Sequence, residues 1–88
     1  MRWKSNYKHP KGWCFIIQQE DLYESTGKVA MVEFCLYVYQ HTDFFYDDLR
    51  DSDCTRFQDR YRQDELSISQ EEAFEEFGVP LDSWVEIN

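Results

Sequence analysis

Along residues 28–41, KVAMVEFCLYVYQH, the even positions Ala30, Val32, Phe34, Leu36 and Val38 are all apolar. The odd positions mix Val29, Met31 and Cys35 with Glu33, Tyr37, Tyr39 and His41. Successive side chains of a strand point to opposite faces, so this run reads as a strand whose even face is the core face. Its odd face is mixed and ends in two tyrosines. The preceding run GWCFIIQQ (12–19) is rich in aromatic and β-branched residues but apolar at both parities. That fits a strand covered on both sides, or an aromatic patch left for a partner. YESTGK, with Gly27, supplies the turn between them.

Downstream the period changes. Cys54, Phe57 and Tyr61 fall at i, i+3 and i+7, a helical stripe. Ser52 or Asp53 is placed to cap it, with Phe45 and Leu49 in a preceding turn or a separate short helix. LSI (66–68) suggests a brief strand. Ser69 followed by Glu72 has the form of a capping box, and QEEAFEEF then predicts a second short helix with Ala73, Phe74 and Phe77 inward. Gly78 and Pro80 end it. SWVEI (83–87) reads as a last strand or a short helix. The expectation is an α+β fold: a small antiparallel sheet built on a long N-terminal hairpin, with two short helices packed on one face. Val32, Phe34, Leu36 and Val38 form the expected core, with Phe57 and Phe74 against them.

Length and composition support one domain over residues 1–88. The chain is 42% apolar and 18% aromatic with three glycines and two prolines, the opposite of a disordered composition. The basic start lacks the apolar stretch of a secretory signal. The longest apolar run, FCLYVY (34–39), is far short of a membrane span. Cys14, Cys35 and Cys54 are odd in number and widely spaced. A small secreted domain more often shows an even framework, so the expected compartment is the cytoplasm, with all three cysteines acting as buried hydrophobes.

Charge adds a second pattern. The chain carries a formal −9, yet residues 1–11 hold Arg2, Lys4, Lys8 and Lys11 and no acid. Residues 63–88 hold Asp64, Glu65, Glu71, Glu72, Glu75, Glu76, Asp82 and Glu86 and no base. Such asymmetry bears on partners more than on fold. Arg2, Trp3, Lys4, Lys8 and Lys11 resemble a basic–aromatic arm that stacks bases and pairs phosphates. Against this, the rest of the chain sets 5 bases against 18 acids and repels nucleic acid. The alternative is that this segment packs its tryptophans on the sheet and offsets the acidic field.

The chemistry-bearing residues exclude several classes. No two of the histidines and cysteines have zinc-finger spacing, so no metal is expected. A calcium loop begun at Asp51 would put Arg56 where the turn needs Gly and Arg62 where it needs Glu. The three glycines stand alone, so there is no phosphate loop, and no nucleophile–base pair is evident. The helix-turn-helix rhythm of SQEEAFEEFGVPLDSWV lacks any base with which to approach phosphate. The function expected is therefore that of a non-catalytic, cofactor-free, small acidic binding protein, an inhibitor or regulator that docks on a basic partner protein and occupies a surface that otherwise holds nucleic acid. Its partner-binding patch would comprise Asp64, Glu65, Glu71, Glu72, Glu75, Glu76 and Asp82. Two alternatives stand beside it: an accessory subunit of a larger complex using Tyr37 and Tyr39, and a nucleic-acid binder using the N-terminal arm. No membrane is expected as partner, and the oligomeric state is left open.

Overall fold

The computed structural model describes residues 1–41 and 54–87. Strand β1 spans Arg2–Ser5, β2 Trp13–Tyr23, β3 Val29–His41, β4 Cys54–Gln63 and β5 Trp84–Glu86, with one helix, α1, over Leu66–Phe77. The strands form a single five-stranded sheet in the order β4-β3-β2-β1-β5, antiparallel throughout. This corrects the expectation of two helices: among the described residues there is one.

The segment expected to be the first helix is β4. Its register explains the error. Val38 lies opposite Asp59 and Tyr39 opposite Phe57, so Gln58 is an extra residue in the ladder. A second irregularity skips Thr55, since Gln40 lies opposite Arg56 and His41 opposite Cys54. Such bulges break the two-residue period: Thr55 makes the three-residue step from Cys54 to Phe57, and Gln58 sets Phe57 opposite Tyr39 but Tyr61 opposite Leu36, so the apparent helical stripe is not one face of the strand. The expected cap at Ser52 or Asp53, the turn at Phe45 and Leu49 and the Phe57 side chain lie outside the described residues. LSI is likewise not a strand but the first turn of α1, which begins three residues before the expected capping box. Ser69 sits buried inside the helix, where its hydroxyl donates to the Phe34 carbonyl at 3.4 Å.

The even face of β3 is the core face over Leu36 and Val38, whereas Ala30 is exposed and Val32, expected in the core, is only half-buried, because the helix does not reach that end of the strand. Phe15, Ile17, Leu36 and Val38 are buried together with Ala73 and Val79. Phe34 is only half-buried and packs at the rim with Trp3, Tyr7, Trp13, Tyr61, Leu66, Phe77 and Trp84. Phe77 is the hub of this rim: its ring lies 5.3 Å from Phe15, 5.6 Å from Trp13 and 6.0 Å from Tyr61. Such tilted and edge-on pairs suit the quadrupole of the rings.

Phe74 departs from the expectation. It is 52% exposed, because the inward stripe of α1 is Leu66, Ser69, Ala73 and Phe77, spaced i, i+3, i+7 and i+11. A residue next to Ala73 in sequence is turned well away from that stripe.

The opposite face of the sheet carries Cys14, Ile16, Cys35, Tyr37 and Tyr39, alternate residues on β2 and β3. Cys14, Ile16 and Cys35 are buried. Cys14 is disulfide-bonded and Cys35 is a free thiol. The reading of all three cysteines as unpaired hydrophobes is therefore corrected for Cys14. Sequence spacing carries no information about which residues a sheet brings side by side.

Candidate functional site

The structure incorporates part of the basic–aromatic start into the sheet. Arg2, Trp3 and Lys4 belong to β1, which lies between β2 and β5. Lys4 is 2% exposed, and Trp3 packs on Phe34 with ring centroids 5.8 Å apart. Lys8 and Lys11 remain exposed on the following loop. There the Lys11 ammonium lies 5.4 Å from the Trp13 ring centroid, within cation–π range. His9 stacks on the same ring at 4.8 Å and 11°, and its Nδ1 accepts the Lys11 amide N–H at 3.1 Å. Desolvation, and secondarily the Lys11 charge, hold the His9 pKa below 6.5. The five residues of the proposed arm are thus divided between a strand and a loop.

Tyr37 and Tyr39 do lie side by side, with ring centroids 6.2 Å apart. Both are half-buried. Tyr39 covers Cys14 and Ile16, and the Tyr37 hydroxyl donates to the Glu20 carboxylate. These rings are engaged within the molecule on at least one side.

The acidic residues of α1 are displayed differently. Its inward stripe fixes the rotation of the helix, and the C-terminus is locked by Gly78 at φ 73°, a conformation that glycine adopts without steric cost. The Gly78 amide bonds the Phe74 carbonyl at 2.9 Å, and the Val79 amide bonds Ala73 at 3.2 Å. With rotation and end both fixed, the helical period points Ile68, Glu71 and Glu75 away from the sheet. Phe74 flanks them beside Glu71, while Glu72 and Glu76 lie on the other flank. Glu71, Glu75 and Glu76 are exposed, as are Asp64, Glu65 and Asp82 beyond the helix ends. Glu72 is the exception. It is half-buried and accepts a hydrogen bond from Gln63 Nε2 at 3.0 Å.

Two features, one on this face and one on the hairpin, were not anticipated. Ile68 and Phe74 are exposed apolar residues set among the carboxylates. Their outward positions follow from the inward stripe Leu66, Ser69, Ala73 and Phe77, two of whose members, Leu66 and Ser69, the reading of LSI as a strand and Ser69 as a cap concealed. A second acidic set, Glu20, Asp21, Glu24 and Glu33, lies on and around the far end of the β2–β3 hairpin. Glu20 stands directly opposite Glu33, with Arg62 Nε 3.7 Å from the Glu33 carboxylate.

No cluster of three or more metal-ligating side chains occurs among the described residues. Nor is any helix there long and apolar enough to cross a membrane. No family model, curated protein or solved structure matches the chain.

Proposed function

We propose that this protein is a non-catalytic binding protein whose α1 face docks on a basic surface of a partner protein. The observation that carries the reading is the exposure of Phe74 and Ile68 beside Glu71 and Glu75 on the outward side of α1, with Glu76 exposed on the far flank. An aromatic anchor surrounded by charged residues has the anatomy of a binding hot spot and its rim. The placement of the acids supports it further. Glu75 and Glu76 occupy the last turn of α1, where no basic residue is present. Carboxylates at a helix C-terminus oppose the macrodipole, so their presence there is a stability cost that a docking role offsets. A rigid helix also loses little conformational entropy on binding.

Occupation of a nucleic-acid-binding surface is the form of inhibition that such a carboxylate array suits best, because a groove built for phosphates presents fixed cations. The accessory-subunit and nucleic-acid-binding readings rank behind it. The first relies on two tyrosines already engaged with Glu20 and Cys14, the second on an arm half of which is strand. The bonded Cys14 favours an oxidising compartment over the cytoplasm.

The test is photo-cross-linking from benzoylphenylalanine at position 74, with position 22 as control, in extract of the native source at low and high salt. Expected is a salt-sensitive protein adduct at position 74 whose cross-linked peptides are rich in Lys and Arg. The reading fails if position 74 yields no protein adduct, or if the adducts are nucleic acid.

A further inference from the structure

The core face of the sheet continues past the end of α1. β4 pairs with β3 only from Phe34, which lies opposite Gln63, to His41. On the other side, β1 reaches β2 no further than Gln18, with one more bond from the Gln19 amide to the Met1 carbonyl. The distal hairpin, residues 20–33, is therefore a two-stranded ribbon without a flanking strand among the described residues. The helix stops short of it too: its N-terminal end meets the sheet at Phe34, whose carbonyl accepts the Ser69 hydroxyl. Beyond Phe34 the same face carries Val32 opposite Asp21, then Val29 opposite Tyr23. The ladder skips Ala30 there. This bulge re-aims the strand, so that Val29 stands across from Tyr23 where regular alternation would put Ala30.

Tyr23, Val29 and Val32 thus form an apolar shelf. Tyr23 is 64% and Val29 51% exposed, Val32 is half-buried, and none of them belongs to the core under α1. Acids surround the shelf. Asp21 lies across from Val32, and Glu24 follows Tyr23. Asp64 and Glu65 stand between the end of β4 and the start of α1, just past Gln63, the partner of Phe34. All four are exposed, and none of these carboxylates has an ion-pair or hydrogen-bond partner among the described residues. The other face of the ribbon differs. Its apolar pair, Leu22 and Met31, is flanked by Glu20 and Glu33, and those carboxylates are already engaged by the Tyr37 hydroxyl and by Arg62.

We propose that this shelf is a second interaction surface, separate from the outward side of α1, and that it takes a protruding basic segment of a partner protein in which an apolar side chain is flanked by lysine or arginine. The apolar side chain lies on Tyr23, Val29 and Val32. The flanking cations meet Asp21 and Glu24 on one side and Asp64 and Glu65 on the other. Charge selects this occupant. A second copy of the chain, at a formal −9, or a nucleic acid brings more negative charge to four unpaired carboxylates, whereas a basic segment neutralises them. Shape selects a protrusion over a flat surface. α1 stands on the same face of the sheet, so it raises a step of roughly 10 Å, a helix diameter, beside the shelf. Tyrosine suits the floor of such a site, because it offers a large, rigid, amphipathic contact with little side-chain entropy to lose.

Titration of the methyl-labelled protein with a short peptide of alternating lysine and leucine, followed by NMR, tests the proposal. Expected are saturable shifts of the Val29 and Val32 methyl groups, with those of Leu22 and Met31 on the opposite face unmoved. Serine in place of the peptide's leucines, and Tyr23→Ser in the protein, each weaken binding by about tenfold. Asp64→Asn together with Glu65→Gln weakens it several-fold and flattens its salt dependence. These side chains are exposed, so the variants melt close to wild type. No shift at Val29 and Val32, equal shifts on the two faces, or binding indifferent to Tyr23→Ser overturns the proposal. Shifts confined to the Ile68 methyl group overturn it as well, while leaving the α1 reading standing. Shifts at the shelf with Ile68 unmoved support the site independently of α1. Concentration-dependent shifts at Val29 and Val32 without peptide assign the shelf to a second copy and overturn the basic partner.

Discussion

The hydroxyls of Ser5 and Ser83 meet at 2.7 Å in a buried position, 78 residues apart in sequence. Ser83 Oγ donates to the Pro80 carbonyl at 2.6 Å, so Ser5 is the donor between the two hydroxyls. Ser5 Oγ in turn accepts the Tyr7 amide N–H at 3.0 Å. This relay of four groups ties the loop after α1 to the end of β1. Ser83→Ala leaves the buried Ser5 hydroxyl without its acceptor and is expected to cost about 1–3 kcal/mol. Urea unfolding measures it, and the Ser5→Ala/Ser83→Ala double variant should lose less than the sum of the singles.

The core assignment separates two substitutions that the sequence alone would rank alike. Leu36 is fully buried in the sheet–helix core, and Leu36→Ala should cost about 2–5 kcal/mol. Phe74, half exposed, should tolerate Ala with a change within about 0.5 kcal/mol. Comparable losses at both sites would mean that α1 is rotated from the orientation described.

Glu75 and Glu76 offer a gain in stability. Their conversion to Gln removes charge from the negative end of the α1 dipole and should raise the melting temperature by about 2–5 °C at low salt, less at high salt. On the function proposed, the same variant should associate more slowly with its partner. Stabilisation together with weaker binding is the expected pair of outcomes.

His9 makes stability depend on pH. Its folded pKa lies below the ordinary 6.5 because of desolvation and then Lys11. Below 6.5 the unfolded chain therefore takes up a proton that the folded one resists. This contribution is fully present above pH 6.5 and declines as the pH falls through that value toward the folded pKa. Protonation of Nδ1 would also remove the acceptor for the Lys11 amide. His9→Phe keeps an aromatic ring at the position and does not titrate. The stability of wild type relative to this variant should thus decrease on acidification below pH 6.5, as followed by denaturant midpoints. A difference that stays constant with pH would contradict the burial of the imidazole.

Reduction should matter as well. With Cys14 disulfide-bonded, a reductant is expected to lower stability by about 2–4 kcal/mol, and Cys14→Ser should reproduce that loss and then be insensitive to reductant.

The hairpin was legible because β3 alternates cleanly and because Gly27 marks its turn. SWVEI left the last element open between a strand and a short helix, and its pairing with β1 decides for the strand. The second helix was legible in existence but not in extent: LSI alternates two apolar residues about Ser67 as a strand does, and only tertiary packing against Phe34 makes Ser69 an interior helical residue. β4 was illegible for a local reason, the additional residues Thr55 and Gln58, which break the strand's two-residue alternation and leave Cys54, Phe57 and Tyr61 at helix-like intervals. β1 was hidden because its four residues include two strongly basic ones, and nothing local announces that Lys4 will be buried. For the candidate site, the acids could be read from composition. Their apolar companions Ile68 and Phe74 could not, since which side chains a helix turns outward depends on the face it packs on the sheet, here Leu66, Ser69, Ala73 and Phe77. Likewise, the acids of the ribbon gain meaning only once β1 and β4 are seen to stop short of it.

The place of β1 between β2 and β5 has a consequence for synthesis. Trp3 lies opposite Ile17 on one side and Glu86 on the other. On the ribosome β1, β2 and β3 can assemble early, but the strand that shields the far side of β1 is made after the other four described strands. Until residue 86 has left the exit tunnel, Arg2–Ser5 is a sheet edge with Trp3 beside it, and the Ser5 hydroxyl awaits Ser83. Unpaired edges in nascent chains are points of misassembly. Arg2–Ser5 therefore stays a sheet edge on one side until Trp84–Glu86 has emerged, long after its pairing with β2 has become possible.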